Sequence, residues 1–116
     1  MITKAIKTAR IDPNQPIPLL QTIETALTSL KEKSVVVVTS KIIAITQGRV
    51  IKKSVDKNEL IEKEADLFIP PDKTNHDFYL TIKNNILIPN AGIDQSNASD
   101  YYILWPDNPG FFPPNE

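Results

Sequence analysis

The stretch FYLTIKNNILIP, residues 78–89, predicts a β-hairpin. Two runs rich in β-branched and aromatic residues flank Asn84 and Asn85, and asparagine tolerates the positive φ of a tight turn between strands. A further strand is predicted downstream in YYILWP, residues 101–106. We therefore expect this part of the chain to form antiparallel sheet.

Three helices are predicted upstream of the sheet region. The apolar residues from Leu19 to Leu30 follow helical spacing. A shorter helix is expected from Ser40 to Gln47, with Gly48 in the left-handed position that ends it. A third follows the capping-box pair Asp56 and Glu59. Its apolar residues are Leu60, Ile61, Ala65 and Phe68.

The remaining strands are predicted from short apolar runs. Residues 2–11 are expected to open the chain as a strand, and RVIKKS, residues 49–54, forms another. Four consecutive valines in SVVVVTS, residues 34–40, are typical of a strand buried on both faces of a sheet. Residues 69–77 are expected to form a loop. The pattern predicts an α+β fold: a mixed sheet with two or three helices and a β-hairpin.

Composition limits the class of protein. The 116 residues suit one domain, and a net charge of −1 gives no basic surface for nucleic acid. The chain has no cysteine, so disulfides and thiolate chemistry are excluded. Its longest aliphatic run, Val35–Val38, is far too short to cross a membrane, and MITKAIKTAR does not have the form of a signal peptide. We expect a cytoplasmic protein without a membrane or nucleic-acid partner.

Two segments carry residues suited to a binding site. Thr39, Ser40 and Lys41 offer hydroxyls and an ammonium group to a phosphate or carboxylate, although Ser40 as a helix cap with a solvated Lys41 is the simpler alternative. In NAGIDQSN, residues 90–97, Asp94 is the kind of oxygen ligand that Mg²⁺ uses. Its neighbours Ser96 and Asn97 can hydrogen-bond a phosphate or orient that carboxylate, and an Asx-turn is the structural alternative.

Other candidate residues have simpler interpretations. His76 is the only histidine and lies beside Asp77 in a polar loop, where a solvated side chain is the expected state and a catalytic dyad the alternative. Trp105 is expected in the core. One histidine and no cysteine cannot supply a zinc site or a Ser-His-Asp triad. No catalytic residue is predicted.

The two motifs together are similar to those of a known family. VVVVTSKIIAITQGRV, residues 35–50, followed by NAGIDQSN and a strand ending in WP, resembles the γ-glutamyl ligase of the deazaflavin coenzyme F-420. The likeness is closer to a bacterial branch described as folate-metabolism γ-glutamate ligases. It covers nearly all of residues 1–116, as the N-terminal half of the γ-glutamyl ligase fold. The Pro-rich tail, residues 106–116, is expected to lead into a second half that this sequence lacks.

The resemblance implies a ligase that uses GTP or ATP with Mg²⁺ or Mn²⁺. The nucleotide would activate a small-molecule carboxylate as an acyl phosphate, which L-glutamate then attacks. The resemblance implies that Asp94 holds the metal, while Ser40, Lys41, Ser96 and Asn97 bind nucleotide or substrate. It also implies a homodimer. A folate acceptor, or a non-catalytic nucleotide-binding or assembly module, is the alternative.

This chain departs from the family pattern at three points. Gln47 stands before Gly48-Arg49 where glutamate is common, so no carboxylate role carries over to it. The segment TIKNNILIP, residues 81–89, is short and different, which leaves the acceptor open. The second family motif, with an Asp expected to share the metal, is absent from this sequence.

Overall fold

The computed structural model describes residues 1–95 and 100–107. Within them the helices are α1 Leu19–Ala26, α2 Ser40–Thr46, α3 Lys57–Glu64 and α4 Pro71–Thr74. The strands are β1 Val50–Lys52, β2 Leu67–Ile69, β3 Leu80–Lys83, β4 Ile86–Pro89 and β5 Tyr101–Ile103. A single 3₁₀ turn, Asn90–Gly92, follows β4. This mixture of helices and small antiparallel sheets confirms the predicted α+β class.

The strands form two antiparallel sheets. β3 pairs with β2 on one side and with β4 on the other, and β1 pairs with β5. The predicted hairpin is β3–β4, and its turn residues Asn84 and Asn85 have φ of 50° and 61°. Since the left-handed region is open to asparagine at low cost, the local sequence is enough to specify this turn.

The core surrounds the segment that follows the hairpin. Ala91 and Ile93 are buried against Leu60 and Ile61 of α3. A smaller cluster joins Ala44 and Ile45 of α2 to β5. The 3₁₀ turn and the residues after it are thus held between α3 and β5, and this packing positions the candidate site.

The prediction of strands in the N-terminal third is wrong. Residues 2–11 and 34–39 have no regular secondary structure. Val35 and Val37 are 85 % and 87 % exposed. A strand needs a neighbour for its backbone N–H and C=O groups, and neither sheet of the described residues pairs with these segments. The aliphatic run can be read from the local sequence, but the neighbouring strand that it would need cannot.

The helix predictions hold in part. α2 ends close to the predicted residue, with Gly48 at φ 69°, and the Asp56 carboxylate accepts a hydrogen bond from Glu59 N at the start of α3. α1 ends at Ala26, four residues before the predicted Leu30. α3 ends at Glu64, so Phe68 lies in β2 instead, and the predicted loop contains α4. The starts of these three helices agree with the prediction, whereas α1 and α3 end earlier than predicted.

Glu64, at the end of α3, forms ion pairs with Lys83 of β3 and with Arg49, the residue before β1. Its carboxylate lies 2.6 Å from Arg49 Nη2 and 3.0 Å from Lys83 Nζ, and its side chain is 14 % exposed. Burial by itself raises the pKa of Glu64, but the hydrogen bonds and charges of Lys83 and Arg49 outweigh it and hold the pKa below the ordinary value of 4.5. The carboxylate is therefore ionised at neutral pH and stabilises the fold.

We predict that Glu64→Gln lowers the free energy of unfolding at neutral pH by about 2 kcal/mol, because two cations lose their shared anion. A lowered pKa means that the carboxylate stabilises the fold above its ordinary pKa of 4.5 and that this contribution is lost as the pH falls through the lower folded-state value. Urea titrations of both proteins should therefore converge in strongly acidic solution. Glu24→Gln, on the exposed side of α1, is the control. A pH-independent difference would contradict the ion-pair explanation.

The outer face of the three-stranded sheet is apolar and exposed. Leu67, Ile82 and Leu87 lie side by side across the three strands and are 66 %, 36 % and 67 % exposed. Contiguous apolar surface of this kind is often covered by another protein surface. The homodimer stays a prediction.

No helix in the described part of the chain combines the length and apolar character needed to cross a membrane.

Candidate functional site

The residues after β4 form a left-handed turn. Asn90, Ala91 and Gly92 have φ of 52°, 53° and 72°. Such a conformation is unfavourable for alanine and persists only where the surrounding structure holds it. Asn90 exchanges hydrogen bonds with the backbone of Tyr79: its N donates to Tyr79 O, and Tyr79 N donates to its Oδ1, both at 2.9 Å. The start of the turn is therefore fixed to the start of the hairpin.

Thr81 holds the middle of the turn. This side chain is 1 % exposed, and its hydroxyl accepts a hydrogen bond from Ala91 N at 2.8 Å while donating to Ile88 O. One hydroxyl thus pairs with the buried N–H of Ala91 in the turn and with a backbone carbonyl of β4. The left-handed geometry at Ala91 is set by β3 and not by Ala91 itself.

Gly92 allows the turn to pass close to Trp105. A Cβ placed at Gly92 would lie 2.7 Å from Trp105 Cε3 and 3.0 Å from Ile88 Cδ1, which is closer than carbon atoms approach without repulsion. Only glycine combines this close packing with a φ of 72°. The indole of Trp105 therefore packs directly against the turn that leads to Asp94.

Asp94 is placed by its backbone. Its N donates to Ile103 O and its O accepts from Ile103 N, each at 2.8 Å, so that it forms a bridge to β5. This pairing fixes the main chain whatever the side chain does. The carboxylate is 36 % exposed and lies 2.7 Å, Oδ2 to Nζ, from Lys41, whose side chain is 27 % exposed.

Lys41 comes from the first turn of α2. Ile43, Ala44 and Ile45 are buried, and they anchor that helix so that its first residues face the Asp94 segment. No side chain caps the start of α2, and the residue in the capping position is Thr39 and not Ser40. The predicted cap at Ser40 is thus wrong by one residue, and the Ser40 hydroxyl is not used in that role.

A pocket of about 180 Å³ lies between these elements. Ser40 and Lys41 line one side, and Gly92 and Asp94 line another. The remaining wall is residues 103–106. The pocket brings one ammonium, one carboxylate and one hydroxyl next to an apolar surface. The ammonium suits a phosphate or carboxylate of a ligand, and the carboxylate suits a cation that accompanies it.

The residues that line the pocket offer a divalent metal one carboxylate, that of Asp94. Among residues 1–95 and 100–107, no three His, Cys, Asp or Glu side chains lie close enough together to hold a metal ion. Mg²⁺ is often bound by one or two carboxylates together with phosphate oxygens and water. Asp94 therefore fits a metal that arrives with a phosphate, and it would be the residue of this pocket that holds the metal.

The structure brings some predicted site residues together and leaves others apart. Ser40, Lys41 and Asp94 share the pocket, whereas Ser96 and Asn97 lie outside the described residues. His76 is exposed and its ring stacks on Phe78 at 5.2 Å between centroids, away from the pocket lining. The role of Ser96 and Asn97 stays a prediction.

Sequence analysis missed two contributors to the pocket. Trp105 was expected in the core, but it is only partly buried and forms part of the wall. Gly92, within NAGIDQSN, allows a close contact with Trp105 that was not predicted from the sequence. The only sequence signal was the proximity of the two motifs to a strand ending in Trp-Pro, which gives no information on packing.

Comparison with known proteins identifies one family. The sequence model of the family described as F420-0:Gamma-glutamyl ligase matches residues 5–112, which is nearly the whole chain. The matched range includes both sides of the pocket. No curated protein and no solved structure matches the chain.

Proposed function

Since the chain belongs to the F420-0:gamma-glutamyl ligase family, we propose that it is part of an enzyme that joins L-glutamate to a carboxylate acceptor. The pocket lined by Lys41 and Asp94 would bind the phosphate groups of GTP or ATP together with Mg²⁺ or Mn²⁺. The acceptor proposed first is F420-0, which the name of the family gives, with a folate as the alternative.

The proposed reaction has two bond-forming steps. An oxygen of the acceptor carboxylate takes the terminal phosphoryl group of the nucleotide, and the nucleoside diphosphate leaves with the electron pair of the broken P–O bond. The amino group of L-glutamate then attacks the acyl carbon and loses a proton, while inorganic phosphate leaves. Neither step needs a nucleophile from the protein, because positioning and charge neutralisation are the main contributions of the enzyme to phosphoryl transfer.

The observation that carries the proposal is the 2.7 Å contact between Lys41 Nζ and Asp94 Oδ2. It unites the two motifs on which the family resemblance rests. A half-exposed ion pair contributes only about 0–1 kcal/mol to stability, so stability alone is a weak reason for the pair. Lys41 would neutralise negative charge on the phosphate oxygens, and Asp94 would hold the cation; when bound, that cation supplies further neutralisation of the phosphate charge.

We predict that Lys41→Met in the full-length protein weakens binding of GTP in the presence of Mg²⁺ by about tenfold to 100-fold. Methionine keeps the apolar stem but removes a charged hydrogen-bond donor worth about 1.5–3 kcal/mol. Isothermal titration calorimetry measures the change. Lys63→Met, on the exposed side of α3, is the matched control and should bind as the wild type does. Equal affinity in all three proteins would refute the phosphate role of Lys41.

The acceptor is tested with the wild-type protein by mass spectrometry. Incubation with GTP, Mg²⁺ and L-glutamate should add glutamate to F420-0 and not to a folate. Addition to the folate alone would favour the alternative acceptor. Nucleotide binding without addition to either compound would favour a non-catalytic nucleotide-binding module.

A further inference from the structure

The side chain of Gln47, directly after α2, makes two hydrogen bonds to the backbone of one residue. Gln47 Nε2 donates to Asp107 O at 2.8 Å, and Asp107 N donates to Gln47 Oε1 at 2.9 Å. The carboxamide therefore pairs with Asp107 as a neighbouring strand would, and it uses one donor and one acceptor. Most side chains cannot supply both from one planar group.

The backbone and side chain of Arg49 continue this pairing toward the pocket. Arg49 O accepts from Leu104 N at 2.9 Å, and Arg49 Nε donates to Trp105 O at 3.2 Å. Residues Leu104–Asp107, which we call the wall segment, are thus held along their length by Gln47 and Arg49. The buried indole N–H of Trp105 has no hydrogen-bond partner among the described residues. Backbone contacts and ring packing are therefore what hold Trp105 in place.

The same helix contributes to the pocket at both ends. Ser40 and Lys41 begin α2 and line the pocket, while Gln47 follows its last residue and holds the wall segment opposite. The Gln47 contact therefore connects the end of α2 to the last residue of the wall segment. Loss of that contact releases Asp107 at the end of the wall segment, while the Arg49 contacts to Leu104 and Trp105 remain.

We propose that Gln47 is a positioning residue of the pocket: by pairing with Asp107 it places Trp105 and Pro106 against the Lys41–Asp94 side. The ligand whose binding it supports is the phosphate-bearing nucleotide, and this consequence rests on the proposed function. The placement of Trp105 does not rest on it. The proposal also explains why an amide and not a carboxylate suits this position in this chain.

The variant Gln47→Glu separates positioning from a general loss of structure. At neutral pH its carboxylate would place an oxygen against Asp107 O where an N–H stands in the wild type, and the contact is lost. A protonated carboxyl group has the donor and acceptor of the amide, so acid should restore the contact. The charged groups at this place are Arg49 and the Asp107 carboxylate, 3.6 Å from Arg49 Nε, with Glu64 paired to Arg49 behind them. The wild type has the same charged groups, so its spectra over the same pH range serve as the reference.

The fluorescence of Trp105 tests the proposal, because it is the only tryptophan of the chain. At pH 7 we expect Gln47→Ala and Gln47→Glu to shift its emission to longer wavelength and to increase its quenching by acrylamide. Between about pH 7 and about pH 4.5, where a glutamate takes up its proton, Gln47→Glu should return toward wild-type values and Gln47→Ala should not. Gln21→Glu, an exposed glutamine of α1, is the matched control and should match the wild type throughout.

Binding of GTP with Mg²⁺ supplies the second readout. We expect the dissociation constant of the full-length protein to rise about threefold to tenfold in Gln47→Ala and in Gln47→Glu at pH 7. If the wild type binds no GTP, the proposed function fails while the Trp105 readout still tests the positioning. Trp105 spectra that stay wild-type in both variants, or that change in Gln47→Glu without recovery in acid, would overturn the proposal.

Discussion

Asp94→Asn is expected to reduce metal-dependent glutamate ligation by about 100-fold or more while leaving the melting temperature almost unchanged. The substitution removes the charge that a divalent cation requires but keeps the size and most of the hydrogen-bonding capacity of the side chain. The backbone bridge from residue 94 to Ile103 involves only main-chain atoms and is unaffected. The lost ion pair with Lys41 is partly exposed and contributes little to stability.

The control for this variant is Asp77→Asn, at an exposed loop position away from the pocket. Initial rates of ligation at limiting and at saturating Mg²⁺ should fall for Asp94→Asn alone. If Asp94 served only as a turn residue, asparagine would replace it at almost no cost, because both residues form Asx-turns. Unchanged rates at both Mg²⁺ concentrations would show that the metal role is wrong.

Gly92→Ala is expected to have the largest effect on stability, about 3 kcal/mol. An added methyl group would meet Trp105 at 2.7 Å and Ile88 at 3.0 Å, and the residue would keep a φ of 72°. Left-handed geometry costs an L-residue about 1–2 kcal/mol, and overpacking costs about 1–3 kcal/mol more. Thermal or urea unfolding followed by circular dichroism measures the loss.

Gly48→Ala is a matched control for Gly92→Ala. Gly48 has a similar φ of 69°, but an added Cβ there would meet nothing within 4 Å. This variant should therefore show the conformational cost alone, about 1 kcal/mol. The difference between the two variants isolates the contact of the turn with Trp105. Equal losses in both would contradict the packing described at Gly92.

Local signals predicted the elements near the site well. The Asn84-Asn85 turn, the Asp56 cap and the glycine stop after α2 each depend on residues adjacent in sequence, and all three are present. The valine run failed because burial of a strand depends on neighbours that the local sequence does not specify. Periodicity thus predicts an element better than it predicts the partner of that element.

In the candidate site too, some features were predicted from the sequence and others were not. Lys41 and Asp94 were expected at one site through their motifs, and the structure places them in contact. The contribution of Trp105 depends on a close approach to Gly92, and that of Gln47 on hydrogen bonds to a residue far along the chain. Such contacts arise from packing and leave no pattern at fixed spacing. The proximity of the two motifs was therefore predictable from the sequence, and the packing contacts around them were not.

We propose that metal and nucleotide meet in the pocket lined by Lys41, Asp94 and Trp105. The indole N–H of Trp105 gives a single resonance in a nitrogen–proton correlation spectrum, because the chain has one tryptophan. Adding Mn²⁺ with GDP to the full-length protein, labelled so that this resonance is assigned, should broaden it strongly, since a paramagnetic ion relaxes nearby protons. We expect strong broadening in the wild type and much weaker broadening in Asp94→Asn. Bound Mn²⁺ and GDP that leave the resonance sharp, or that broaden it equally in both proteins, would contradict the proposal.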